Sequence, residues 1–439
     1  MDDPRRPAVP EAGLPGGGAL TTGRRVVVFG DAPGGDQQVD WARAGVRDVA
    51  DSRDFTDGDV PPETLRGAGA TVFAALGIAV VAADDGQLRA LAAASSRPVL
   101  SVSPELVHQA LDPEPGYVLG YRDGVADLTG RLLAPGGPAT EPAARFADTP
   151  EATWGIQAVR ADVSPYSGRG VRIAVLDTGM DLAHPDFAGR TVTARSFVAG
   201  EDAQDGHGHG THCIGTACGP RTPAGGPRYG VAPEADIFAG KVLGNGGSGT
   251  DAGILAGINW AVTSGCPVIS MSLGADVMTV HPPYSAAGRR ALQQGSLIVA
   301  AAGNNADRRS GDPGFVGTPA NSVEILAVGA VDQALEMAYF SARSLPGRGG
   351  QVDVAGPGWE VFSAWPLPDR YRTISGTSMA TPHVAGLAAL WAEATGRRGL
   401  ELWATLCQES ERLLLASVDA GSGLGVAPGE AVPATRGAA

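Results

Sequence analysis

The sequence predicts an α/β protein, a three-layer sandwich around a mostly parallel sheet, preceded by a smaller α+β unit. Two observations point there. Short apolar, β-branched runs recur from Val171 to Val328 with helical stretches between them and no polar alternation inside them. Strands of that pattern are covered on both faces, and in a single sheet the covering elements are helices. At 439 residues and 43% hydrophobic, the chain is long enough for two or three domains and can fill a real core.

Residues 1–23 are rich in Pro, Gly and charge, carry no periodicity, and read as a disordered leader. Residues 24–105 form the α+β unit. It holds strands at Val26–Phe29, Thr71–Val81 and Pro98–Val102, a helix over Val39–Val49, and a helix at Gln87–Ala94 with Leu88, Leu91 and Ala92 on one face. Residues 106–150 connect the two parts, and from 133 onward Pro, Ala, Gly and Thr give them the composition of an exposed linker. The large domain spans 151–431. Its strands lie at Val171–Leu176, Asp236–Val242, Val268–Leu273, Leu297–Ala301 and Ile325–Val328, with helices at Gly253–Thr263 and Ser285–Gln294. Residues 432–439 are a tail.

Sites in such folds gather at the carboxyl ends of the strands, so strand-ending polar residues are the candidates for chemistry. Asp177 closes the first strand of the large domain and is followed by a tight-turn pair, Thr178 and Gly179. Taken alone it reads as an Asx turn. His207, His209 and His212 are three of the seven histidines in the chain and fall within six residues, among glycines. Zinc would need further ligands at helical spacing, and the glutamate of a zinc-protease helix is missing. A general base is the better reading, since imidazole titrates near neutrality and an aspartate can fix its tautomer. Gly303 and Asn304 end an apolar strand; they read as an ordinary turn or as an amide able to donate to an oxyanion. Ser378, after Gly376 and Thr377, opens a segment with Val384, Leu387, Ala388 and Trp391 at helical spacing, and Pro382 fits a first turn. It reads as a helix cap or as a nucleophile, and a serine hydroxyl needs a base and an orienting group to act as one.

Composition excludes some functions. A formal charge of −14 argues against nucleic acid and anionic membranes as partners, and Lys241 is the only lysine among many arginines. No run approaches ~20 uninterrupted apolar residues, so no membrane-spanning helix is expected. Cys213, Cys218, Cys266 and Cys407 are too few for a disulfide framework in a chain of this length and read as buried small side chains. No secretory signal is readable after Met1, which leans toward a cytoplasmic protein; a misassigned start or non-standard export gives the same sequence.

Together and in this order, Asp177, His209, Asn304 and Ser378 resemble the subtilisin-like serine proteases, over about residues 152–431. The resemblance implies a serine endopeptidase in which Ser378 attacks, His209 carries the proton, Asp177 orients the imidazole, and Asn304 with the Ser378 amide holds the oxyanion. His207 and His212 are then structural. It further implies that Gly247, Ser248 and Gly249, with Ser272, Leu273 and Gly274, clamp an extended peptide as an added strand, and that Gly303 belongs to the binding surface. Gly274 and Gly317 would be wall and floor of a roomy pocket preferring large apolar or aromatic residues before the cut. The N-terminal unit resembles the inhibitor-type, ferredoxin-like propeptides of this family, so the chain is expected as a zymogen carrying its own inhibitor, with the linker as the natural place for processing. No cofactor is implied for the chemistry. A structural calcium on Asp353 and the carbonyls of Val323 and Ile325 is suggested by similarity to proteinase K-type sites. Cys213 lies one helical turn after His209, where it is either a reactive thiol or an inert buried one. The expected partner is a polypeptide substrate, and the expected state a monomer. Two other readings are a narrow intracellular peptide-maturation protease and a non-catalytic peptide-binding scaffold locked by its prodomain.

Overall fold

A computed structural model describes residues 19–31, 39–111, 143–347 and 349–430. The leader and the tail lie largely outside the described residues, as do 112–142 of the connection.

The N-terminal unit comprises β1 (Thr21–Phe29), β2 (Val49–Asp51), α1 (Pro62–Gly67), β3 (Ala70–Phe73), β4 (Ile78–Val81), α2 (Asp85–Ala94) and β5 (Val99–Ala110). Its strands run in the order β5-β1-β4-β3-β2, antiparallel except for β2 beside β3. Three sequence expectations differ from what forms. The helix over Val39–Val49 is a turn: the Asp40 side chain accepts the Arg43 N–H, and Gly45 at φ +74° breaks the coil. The single strand over Thr71–Val81 is a hairpin whose turn, ending at Gly77, is disguised by apolar residues on both sides. The last strand runs on past Glu105 to Ala110.

The large domain contains α3 (Trp154–Ala158), β6 (Arg172–Asp177), β7 (Val192–Ser196), α4 (His209–Cys218), β8 (Asp236–Lys241), β9 (Ser248–Thr250), α5 (Asp251–Thr263), β10 (Val268–Met271), β11 (Leu273–Gly274), α6 (Pro282–Gln293), β12 (Leu297–Ala301), β13 (Leu326–Val331), β14 (Val354–Pro357), β15 (Val361–Ala364), β16 (Tyr371–Ile374), α7 (Thr377–Thr395), α8 (Gly399–Gln408) and α9 (Ser417–Ala420). Seven of its strands form a parallel sheet in the order β14-β13-β12-β10-β6-β8-β7. Each central strand divides its side chains between two cores. On β12, Leu297 and Val299 face the cluster that holds Ile214, Val384 and Leu387 of α4 and α7, while Ile298 and Ala300 face Ile254, Leu255 and Ala287 of α5 and α6. That alternation is why the strand sequences are apolar throughout and why the domain has three layers.

The second of these cores continues into the N-terminal unit. Val26, Val28, Ile78 and Val80 pack with α5 and α6, whereas their neighbours Val27, Phe29, Ala79 and Val81 pack on Leu88 and Leu91 of α2. One face of the small sheet is therefore covered mainly by the large domain, with Val60 and Leu65 of the unit itself joining that core.

Candidate active site

Asp177, the last residue of β6, is 1% exposed. Its Oδ1 accepts the N–H of the next residue, Thr178, at 2.7 Å, a bond one residue short of an Asx turn, and also faces His209 Nδ1 at 2.8 Å. His209 is the first residue of α4. The orphan N–H groups at this helix start are taken by side chains: Asp205 accepts from His207, Gly208 and Thr211, and the Thr178 hydroxyl accepts from Gly210. Gly208 enters at φ +107°, and a Cβ there would stand 2.3 Å from the Trp365 ring. Lys241 is buried at the end of β8 and donates to the Thr178 carbonyl at 2.6 Å and to Asn245 Oδ1 at 2.8 Å.

Ser378 is the second residue of α7. Pro382 lies beyond the first turn of that helix, not within it, so the N–H that would bond the Ser378 carbonyl is missing. Ser272 Oγ at 2.7 Å and Cys213 Sγ at 3.6 Å donate to that carbonyl instead. Asn304 follows β12; its Oδ1 accepts from the Thr377 N–H at 2.9 Å and the Thr377 hydroxyl at 2.8 Å, which turns its Nδ2 outward.

What Nδ2 meets is the N-terminal unit. β5 runs antiparallel between the two clamp segments: Val107, His108 and Gln109 pair with Thr250, Gly249 and Ser248, and Gln109 and Ala110 pair with Gly274 and Leu273. The Ala110 N–H bonds the Gly247 carbonyl at 2.8 Å, and the Leu111 N–H reaches that of Ser272 at 3.4 Å. The Leu111 carbonyl then accepts from Asn304 Nδ2 at 2.6 Å and from Ser378 Oγ at 2.9 Å. Its side chain lies along Gly274, where a Cβ would come within 3.4 Å of Leu111 Cδ1 and 2.8 Å of the Thr318 carbonyl. A Cβ on Gly317 would stand 2.6 Å from the Ala275 carbonyl, so neither glycine has room for a side chain in this arrangement. Gly303 donates its N–H to the Thr377 hydroxyl at 3.2 Å.

Residues 168–419, more than half of the chain, match the subtilase family of the S8 peptidases. The chain is a subtilase. It is similar to subtilisin DY of Bacillus licheniformis (40% identical over 245 residues, 54% of this chain and 83% of that protein) and to thermitase of Thermoactinomyces vulgaris (38% over 247 residues, 56% and 83%). Among solved structures it resembles a cold adapted subtilisin-like serine proteinase, 32% identical with a TM-score of 0.55, over 64% of this chain and all of that one. It is therefore a serine endopeptidase acting on polypeptides.

In this subtilase His212 is buried, donates from Nε2 to the Val361 carbonyl, and is pushed down to about 3 by desolvation. Asp177, His209 and Cys213 bring three metal-capable atoms within 4.8 Å of one another, yet burial pushes the Cys213 thiol up to about 11 and His209 Nδ1 already faces the carboxylate, so the group suits a proton relay better than a resident ion. Asp353 accepts the Ala327 N–H at 2.8 Å, and desolvation raises its carboxyl to about 7. Of the carbonyl-bearing pair named with it, Ile325 is buried and Val323 is 36% exposed. Thr377, Asp205 and Lys241 escaped the sequence reading as site residues. Asp205 was legible as an acid just ahead of a helix start, and Lys241 as a solitary lysine; the place of Thr377 follows only from folding.

Proposed function

We propose that this subtilase is made as a zymogen and cleaves itself after Leu111, ahead of the Pro-rich linker. The observation that carries this is the Leu111 carbonyl, bonded at once by Ser378 Oγ and Asn304 Nδ2. Ser378 Oγ adds to that carbonyl carbon while His209 takes the hydroxyl proton; Asp177, on the opposite ring nitrogen, fixes the tautomer and stabilises the imidazolium. Charge that develops on the carbonyl oxygen is held by Asn304 and the Ser378 N–H. Collapse breaks the C–N bond, and the departing amine takes the proton from His209. Water then adds to the acyl ester, His209 accepts its proton and returns one to Ser378, and a carboxylate leaves.

The N-terminal unit, after cleavage, keeps its tail in the cleft and acts as the inhibitor. Gly247–Gly249, Ser272–Gly274, Gly303 and Gly317 form the binding surface, and the seat of Leu111 against Gly274 supports a preference for large apolar residues before the cut. The protein works as a monomer with no nucleic-acid or membrane partner, in keeping with its charge of −14. Among the described residues no helix is long and apolar enough to cross a membrane. Asp353 with the Val323 and Ile325 carbonyls is the proposed calcium site: a carboxyl held up near 7 by desolvation is one a hard cation would ionise, and its role would be structural.

An occupied cleft also suits a binder that never turns over. Intact mass of the expressed full chain, wild type beside Ser378→Ala, separates the two. Fragments ending at Leu111 in the wild type and an uncut variant are expected; an uncut wild type, or the same cut in both, refutes self-cleavage.

A further inference from the structure

The tail brings a polar side chain into the cleft where the surroundings carry a buried acid. Counting back from the proposed cut, His108 is the fourth residue before it, and its ring is wholly buried. It donates from Nε2 to Asp251 Oδ1 at 2.7 Å and stands edge-on to Tyr284, ring centroids 5.4 Å apart. Asp251 opens α5 and is itself 0% exposed. Its other donors are the Tyr284 hydroxyl at 2.7 Å, His281 Nε2 at 3.0 Å and the Leu106 N–H at 2.7 Å. Burial alone would push this carboxyl up, but the hydrogen bonds from His108 and His281 outweigh it and hold the group below the usual carboxylate range. Two of the four donors, His108 and Leu106, belong to the tail and leave with it.

We propose that Asp251, with His281 and Tyr284, forms a polar pocket that selects substrates carrying histidine four residues before the scissile bond. This rests on the cleft being the peptide-binding site set out above. The antiparallel pairing of His108 with Gly249 fixes which substrate residue enters: the strand register carries every peptide clamped there to the same depth. A leucine or phenylalanine in that place buries the carboxylate without its side-chain donor from the substrate, whereas an imidazole restores the hydrogen bond. Backbone pairing supplies the Leu106-type N–H from any sequence, so discrimination falls on the side chain.

The test uses the protein after self-processing, once intact mass shows that the N-terminal unit has been removed from the cleft, and internally quenched peptides copied from residues 106–115, with His, Leu or Arg at the position of His108. Histidine is expected to exceed leucine in kcat/KM by about 10- to 100-fold, the worth of a hydrogen bond to a charged group. In Asp251→Asn, and separately in Asp251→Leu, the ratio is expected to fall below about threefold, with Asp251→Leu turning it toward leucine. Cleavage of all three peptides by the wild type within about threefold of each other, or an arginine peptide that outruns histidine, overturns the pocket and leaves the peptidase assignment standing. If no peptide is cut, the assignment of the cleft fails and the pocket with it. The wild-type ranking decides even where a variant does not fold.

Discussion

Replacing Asn304 with alanine separates an oxyanion donor from a binding contact. Nδ2 lies 2.6 Å from the Leu111 carbonyl oxygen and is aimed by two bonds from Thr377 to Oδ1, at 2.9 and 2.8 Å. As that oxygen gains charge during Ser378 addition the bond strengthens, so the loss falls on turnover. A drop of roughly 10²–10³ in kcat, ~2.7–4 kcal/mol, is expected, a magnitude carried over from subtilisin in the same family. KM should stay within about threefold, because the strand pairing through Gly247, Ser248 and Gly274 is untouched. Stability has its own cost: the buried Thr377 N–H and hydroxyl lose their acceptor, worth about 1–3 kcal/mol for an unsatisfied buried group. Thr377→Val keeps the amide but loosens its aim, and about a tenfold smaller kcat, ~1.4 kcal/mol, is expected. Steady-state hydrolysis of a peptide ending in the Gln109–Leu111 sequence before its bond gives both constants, and denaturant unfolding gives stability. A variant that raises KM at unchanged kcat would show that Asn304 merely binds, and the oxyanion argument would fail.

Two pH effects follow from buried groups. Desolvation pushes His212 down to about 3 and His383 to about 4, so below 6.5 the unfolded chain takes protons that the folded chain refuses. Stability is full above 6.5 and falls with acidification, on the order of 2 kcal/mol per histidine by pH 5; His212→Gln, whose amide can still donate to Val361, should flatten the melting-temperature loss between pH 7 and 5, and an unchanged slope would refute this. Asp353 acts oppositely: raised to about 7, it favours the fold below its ordinary 3.8 and loses that contribution as pH rises to 7. Asp353→Asn should therefore raise the melting temperature at pH 8 and leave it nearly unchanged at pH 4, whereas added calcium should stabilise the wild type alone; equal shifts at both pH values would count against the argument.

The parallel core was legible because β6, β10, β12 and β13 are apolar on both faces, a pattern that needs no knowledge of partners. Asp177, Asn304 and Ser378 could be picked out because each sits where an apolar run meets a turn or helix start. Val39–Val49 misled because its helical spacing ignored Asp40 and Gly45, and the β3–β4 hairpin was hidden by apolar residues filling the turn. Pairings across more than seventy residues were beyond reading: Leu111 with Ser378, His108 with Asp251, Thr377 with Asn304. In those, local composition carries no trace of the partner, and only the folded topology brings the groups together.

β5 is one uninterrupted strand that belongs to two bodies: Val99 to Leu106 pairs with β1, and Val107 to Ala110 with β9 and β11. The cut proposed after Leu111 would leave that strand unchanged, so the tail would stay at its seat for as long as the N-terminal unit stayed folded and docked. Release would then be a single event rather than a gradual peeling, and it would follow the law of mass action between two separate chains. Under the proposed self-cleavage, latency would be a matter of concentration: crowded, the cut enzyme would stay silent; diluted, or with the unit digested by an already free copy, it would switch on with a lag.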